Sequence, residues 1–302
     1  GVVTNDALHG ATPGAYVANA ISRDDKEDIL EQAIFETQPD VLVGGGQSVY
    51  NQIKAAERLP ETGYRLVQTA DQLREWDASS GEKLLGLFAS GAMAYAVERP
   101  ATEPSVAEML QVALDALSGG ENGFFLMLEN DRIDGAGHAN DLRRSVYDTL
   151  AFDEAVAVAL AFAAERDDTL VIVTADHETG GLTPGRGVPS MVVLREGPEA
   201  VRLRIMDAFS QDPEADLVAL LTQEAGIEDV EPMVFQGNLA GFIEALLTQQ
   251  AGYFYTTTGH TDVPVPVFAQ GPGAEHFLEV EHITDMAQTV IEILGLNREG
   301  DH

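Results

Sequence analysis

The chain of 302 residues carries 50 Asp and Glu against 17 Lys and Arg, a formal charge of −33 at pH 7, with 45% hydrophobic residues and no cysteine. This balance excludes disulfides and thiolate metal sites, argues against nucleic acid or an anionic membrane as partner, and leaves enough apolar content for a large core. Only Lys26, Lys54 and Lys83 are lysines; such self-repulsion suits a salt-adapted protein, since 1 M salt screens charges within roughly 3 Å, although acidity also serves solubility alone.

In chain order, the first notable block is His9-Gly-Ala-Thr12-Pro13, with Arg23 eleven residues past the threonine. A helix is predicted over 24–37 and a strand over 40–44. The following Gly44-Gly45-Gly46 reads as a tight turn, because the lysine and hydroxyl of a P-loop are missing. A strand over 83–89 and a helix over 104–117 come next. Residues 123–128 and 169–173 are continuous apolar runs, the pattern of strands buried on both faces of a mainly parallel sheet. Between them a helix is predicted over 141–166, with Leu142, Val146 and Leu150 forming its apolar stripe and Asp148 and Asp153 off it. These three elements read as a βαβ unit.

Each apolar run is followed by chemistry: Glu129-Asn-Asp-Arg-Ile-Asp134-Gly-Ala-Gly-His138 and Thr174-Ala-Asp176-His177-Glu178. Zinc takes imidazole nitrogen and carboxylate oxygen, and in open α/β sheets ligands bind beyond the carboxyl ends of the strands. Asp134 and His138 lie four apart with two glycines between them. Asp176 and His177 are adjacent and can share one metal only where the chain turns. Residues 187–253 read as mostly helical, with a start signal at Asp212-Pro213-Glu214 and an amphipathic stretch over 239–247. His260 then stands ahead of a last apolar strand over 265–269. The fold class is α/β, a mainly parallel central sheet with helices on both faces. One domain over 1–302 is expected, its 187–253 segment covering the sheet or the site entrance.

Taken in this order, the four blocks resemble the bacterial alkaline phosphatases over nearly the whole chain, including Gly81-Glu-Lys-Leu-Leu and Thr179-Gly-Gly-Leu-Thr183. The resemblance implies hydrolysis of phosphate monoesters with two Zn2+ and one Mg2+. Asp134, His138 and His260 match the ligands of the first zinc, and Asp176 and His177 those of the second. Glu129 and Thr12 match magnesium ligands, an oxygen set suited to a hard cation. Arg23 matches the guanidinium that grips two phosphate oxygens. The resemblance further suggests a periplasmic or extracellular location and leaves a homodimer open. A phosphodiesterase of the same superfamily and a non-catalytic metal- or phosphate-binding remnant are the alternatives.

Two features of the pattern are not found. The family's serine nucleophile follows an aspartate at a helix start, and a nearby strand aspartate bridges two metals; Gly1-Val-Val-Thr resembles the stretch downstream of both. Asp77-Ala-Ser79-Ser80 reads as a surface loop. The expectation is a nucleophile-bearing segment or chain that fills a place in the sheet. Gly10 stands where many relatives have a polar residue touching magnesium-bound water.

Overall fold

The computed structural model describes residues 1–184, 190–213, 215–227, 240, 243, 247 and 253–296. By residue contacts the chain forms two compact units: Gly1–Ile133 with Tyr147–Asp176 and Pro264–His302, and Asp134–Val146 with His177–Val263.

The first unit is built on β1 (Val2–Ala7), β2 (Val41–Gly45), β3 (Tyr64–Val67), β4 (Lys83–Leu87) and β5 (Met127–Glu129). They form one sheet in the order β3-β4-β2-β1-β5, with every neighbouring pair parallel. Period-two alternation divides the strands between two cores. Val2, Leu42 and Leu85 pack on one face with Leu30, Ile34 and Val49. Val3, Val43 and Leu84 pack on the other with Met109, Leu110 and Ala155. The first face is covered from α1 (Ala11–Val17), α2 (Lys26–Gln32) and α3 (Gln47–Gln52). After the short α4 (Ala70–Arg74), the second face is covered from α5 (Val106–Leu117) and, beyond α6 (Arg132–His138), from α7 (Leu142–Ala164). Burial on both faces is what the continuous apolar runs require.

Local chemistry sets the element ends. The Ser105 hydroxyl accepts from the Glu108 amide and the Glu108 carboxylate from the Ser105 amide, so α5 starts past Pro104. The helix predicted over 24–37 is α2 continued by a π-turn, Ala33–Thr37, which Gln38 ends at φ 51°. Gly44 and Gly45 complete β2, and Gly46, at φ 105°, turns the chain into α3.

The structure corrects three sequence expectations. β6 (Val171–Val173) does not continue the parallel sheet beside β5; it pairs antiparallel with Phe268–Gln270 in a separate ladder. Asp148 is buried and accepts the Ala96 amide, whereas Leu150 is 53% exposed. The reason is the true buried stripe of α7, where Asp148 is followed at helical spacing by Ala155, Ala159 and Phe162. The start expected at Asp212 is instead the end of a helix, as the next one begins after Asp216.

The second unit pairs β7 (Glu178–Thr179) with His260–Thr261, and β8 (Thr183–Pro184) with β9 (Tyr253–Phe254). The ladder partner of β7 is β10 (His260–Thr261), and that of β6 is β11 (Phe268–Gln270). Its helices are α8 (Met191–Glu196), α9 (Pro198–Gln211) and α10 (Leu217–Ala225), around Val193, Val201, Ile205 and Leu221. The Asp216 side chain caps α10 by accepting from the Val218 amide. Of the amphipathic stretch over 239–247, only 240, 243 and 247 are described, and Ile243 and Leu247 are fully buried; Glu214 lies outside the described residues. A final helix, α11 (Ile283–Ile293), is capped by His282. Among the described residues, no helix is long and apolar enough to cross a membrane.

Gly45 gives a test of this packing. A β-carbon there would lie 1.9 Å from the Gly91 carbonyl oxygen, so Gly45→Ala is expected to cost at least about 2 kcal/mol in urea unfolding, whereas Gly81→Ala meets no neighbour within 4 Å and is limited to the strain of φ 77°.

Candidate metal centre

Within the second unit, Asp134, His138 and His260 present one ligand atom each, all within 4.8 Å of one another. His138 Nε2 lies 3.4 Å from Asp134 Oδ2, His260 Nε2 3.7 Å from Asp134 Oδ1, and the two Nε2 atoms 3.3 Å apart. Two imidazole nitrogens converging in this way beside a carboxylate form a donor set suited to a cation.

The hydrogen bonds around the cluster fix where its protons are. His138 Nδ1 is 2.6 Å from the Thr258 carbonyl oxygen, which can only accept, so Nδ1 carries a proton and Nε2 is turned toward Asp134 and His260. The Thr179 hydroxyl donates to Asp134 Oδ1 at 2.5 Å. Its oxygen must therefore accept from His177 Nδ1, 3.1 Å away. The His177 ring stacks on His260 with centroids 3.6 Å apart.

Backbone shape allows these contacts. Asp134 and His138 share one face of α6 at four-residue spacing. A β-carbon at Gly137 would come within 2.6 Å of the Thr179 carbonyl oxygen, so glycine is what lets α6 approach β7. The Glu178 carboxylate accepts the Gly181 amide at 3.1 Å and the Thr261 hydroxyl, tying the Gly-Gly loop to β10. His260 is thus held by strand pairing and by a buttress on the neighbouring residue.

The first unit carries an oxygen-rich cluster. Thr4 and Glu129 are register partners across β1 and β5. The Thr4 hydroxyl accepts the Asp6 amide at 2.9 Å and donates to Glu129 Oε2 at 2.6 Å, and Thr12 also hydrogen-bonds Glu129. Burial pushes the Glu129 carboxyl up to about 7; Thr4 and Thr12 oppose that rise, and the Asp131 and Asp6 charges add to it. Burial raises the Asp6 carboxyl as well, aided by Asp131 and countered by Arg132 and Arg23. Arg132 Nη2 binds Asp131 at 2.6 Å and lies 3.9 Å from Asp6. A carboxylate flanked by hydroxyls is a donor set for a hard cation.

Arg23 sits exposed in the turn between α1 and α2, with no hydrogen bond or ion pair among the described residues. Asp176 is exposed just past the end of β6, and His177 is half-buried at the start of the segment leading into β7. Asp134, His138, His260 and His177 therefore form one group in the second unit, while Glu129, Thr12 and Arg23 belong to the first. Asp77 accepts both the Ser79 amide and its hydroxyl within an exposed 3-10 turn, so that hydroxyl is engaged locally. Sequence reasoning missed Thr4, Asp6, Thr179 and the Thr258 carbonyl. Thr179 alone carried a signal, its position one residue past the Asp-His-Glu block.

A sequence model of the family described as alkaline phosphatase matches residues 1–296. Alkaline phosphatase 4 of Bacillus subtilis is 32% identical over 314 residues, covering 97% of this chain and 67% of that protein. Alkaline phosphatase 3 of the same organism is 29% identical, covering 98% and 68%. Among solved structures, a cold-active alkaline phosphatase from a Shewanella species has a TM-score of 0.78 at 26% identity, covering 97% of this chain and 74% of its own.

Removal of one hydroxyl tests this cluster as a metal site. Thr179→Val is expected to lower Zn2+ affinity roughly 10- to 100-fold by freeing Asp134 and the His177 tautomer, read by competition with a chromogenic chelator. The oxygen cluster has a pH signature. Because Glu129 is held neutral to about 7 in the fold and titrates near 4.5 unfolded, its contribution to stability is present below that lower value and lost as pH rises to 7. The ceiling of the loss is roughly 3 kcal/mol. Urea midpoints in chelator should fall over this window more for the native protein than for Glu129→Gln.

Proposed function

The chain belongs to the alkaline phosphatase family, enzymes that release inorganic phosphate from monoesters, and we propose that it does so with two zinc ions and one magnesium ion. The observation that carries this reading is the imidazole–carboxylate group, in which Thr258 orients His138 and Thr179 orients both Asp134 and His177. In this reading Asp134, His138 and His260 hold one zinc, Asp176 and His177 the other, and Glu129 with Thr12 the magnesium. When bound, these ions supply Lewis acidity, neutralising charge on phosphoryl oxygens.

The chain's own residues hold and orient. Thr179 keeps Asp134 turned toward the histidines, and the Thr258 carbonyl keeps the His138 Nδ1 proton on the far side of its ring. Arg23, with no hydrogen bond or ion pair among the described residues, offers two parallel N–H groups to two phosphate oxygens. The reaction is two in-line displacements at phosphorus: a serine oxygen replaces the ester alcohol, then water replaces the serine. Positioning and electrostatic stabilisation of the equatorial oxygens supply most of the rate.

The serine, in the same proposal, comes from outside these 302 residues. Among the described residues β5 pairs with β1 alone and β6 with β11 alone, so each offers an unpaired edge to a further strand. An unpaired edge is a template for added backbone. Export to the periplasm or the exterior belongs to this reading too, on the family resemblance, and so does adaptation to salt, on the charge of −33.

Three outcomes are expected. The full-length enzyme should turn over p-nitrophenyl phosphate and leave bis(p-nitrophenyl) phosphate essentially intact; preference for the diester would overturn the monoesterase assignment. Arg23→Ala should lower kcat/KM roughly 10- to 100-fold with metal content unchanged. Added salt should raise or maintain kcat/KM, because it screens the acidic surface more than the site; a steady fall with the fold intact would contradict salt adaptation.

A further inference from the structure

Gly10 and Asp6 contend for one space. A β-carbon built on Gly10 would lie 1.9 Å from Asp6 Oδ2 and 2.8 Å from its Cγ. The Asp6 carboxylate therefore occupies the volume into which a side chain at residue 10 would project, at the entry of α1 and two residues before Thr12. It is held there by its own neighbourhood. The Asp6 amide donates to the Thr4 hydroxyl that serves Glu129, and the Ala7 amide donates to the Asp6 carboxylate.

The charge around Asp6 is unbalanced. Arg132 is committed to Asp131 at 2.6 Å and stands 3.9 Å from Asp6, and its guanidinium also lies over the Tyr95 ring. Asp6 thus shares Arg132 with Asp131 and draws a further attraction from Arg23, while Glu129 feels the charges of both Asp131 and Asp6. Partly buried carboxylates gathered in this way are costly unless a cation joins them.

We propose that Asp6 is part of the magnesium site, as the carboxylate that fills the side-chain space of residue 10 and holds the cation's water shell beside Glu129 and Thr12. This rests on the reading of Glu129 and Thr12 as magnesium ligands. Mg2+ keeps several of its waters and takes few direct protein carboxylates, so an oxygen anion one layer out serves to accept hydrogen bonds from bound water. Asp6 acts through that water and is a positioning residue. Gly10 is its structural counterpart, since any side chain at residue 10 displaces it.

The test uses Mg2+ alone as probe, with calorimetric affinity measured on the full-length protein and urea midpoints recorded in chelator. Asp6→Asn keeps the shape and removes the charge; it should weaken Mg2+ roughly 10- to 100-fold, with a chelator midpoint no lower than the native one. Gly10→Ala leaves every charge in place and should weaken Mg2+ as well, because its methyl evicts the carboxylate. The exchange Asp6→Ala with Gly10→Asp, which returns a carboxylate to the same volume from the other residue, should recover at least part of the loss. Native Mg2+ affinity in Asp6→Asn would overturn the proposal, as would native affinity in a folded Gly10→Ala. Glu129→Gln separates the two levels: if it too binds Mg2+ normally, the site itself is misassigned, whereas loss in Glu129→Gln with none in Asp6→Asn rejects the role of Asp6 alone.

Discussion

One hydroxyl group organises the imidazole–carboxylate cluster of this protein. Thr179 Oγ1 has a single proton, given to Asp134, and an oxygen that must then accept from His177. Through that one atom the carboxylate is oriented, a tautomer is chosen, and α6 is joined to β7. The approach is close enough that residue 137 must lack a side chain. Glu178 extends the same logic to the next strand by gripping the Gly-Gly loop and Thr261, beside His260. Metal affinity in such a place depends on the residues behind the ligands as much as on the ligands.

The oxygen cluster of the first unit follows a different rule. There the parallel register of β1 and β5 puts a threonine opposite a glutamate, and burial makes the ionised carboxylate expensive until a cation arrives. A protein carrying −33 formal charge still gathers Asp6, Asp131 and Glu129 into one partly buried place. Under the proposed reading, bound divalent ions would reverse that local charge for an anionic phosphate ester, while the outer surface is left to solvent and salt.

Much of this was legible in the sequence because apolar runs and metal-ligand spacing are local signals. Val41-Leu42-Val43 and Lys83–Leu87 read as strands since both their faces are buried, and the 134–138 spacing already put two ligands on one helical face. Pairing partners were not legible: nothing in Val171–Val173 says that it will ladder with Phe268–Gln270 rather than join the parallel sheet. Asp148 misled because a charged residue was placed outside the stripe, although its carboxylate is satisfied internally by the Ala96 amide. Thr4 and Asp6 carry common side chains with no motif, and Thr179, although it follows the Asp-His-Glu block, gets its role only from its hydrogen bonds to Asp134 and His177.

The most direct test of the central claim is zinc-edge anomalous diffraction from crystals of the full-length protein. A peak about 2.0–2.2 Å from His138 Nε2, His260 Nε2 and an Asp134 oxygen is expected, with His138 Nδ1 still bonded to the Thr258 carbonyl. Zinc bound elsewhere, or bound through His138 Nδ1 with the Thr258 contact broken, would contradict the proton arrangement on which the rest of the site depends.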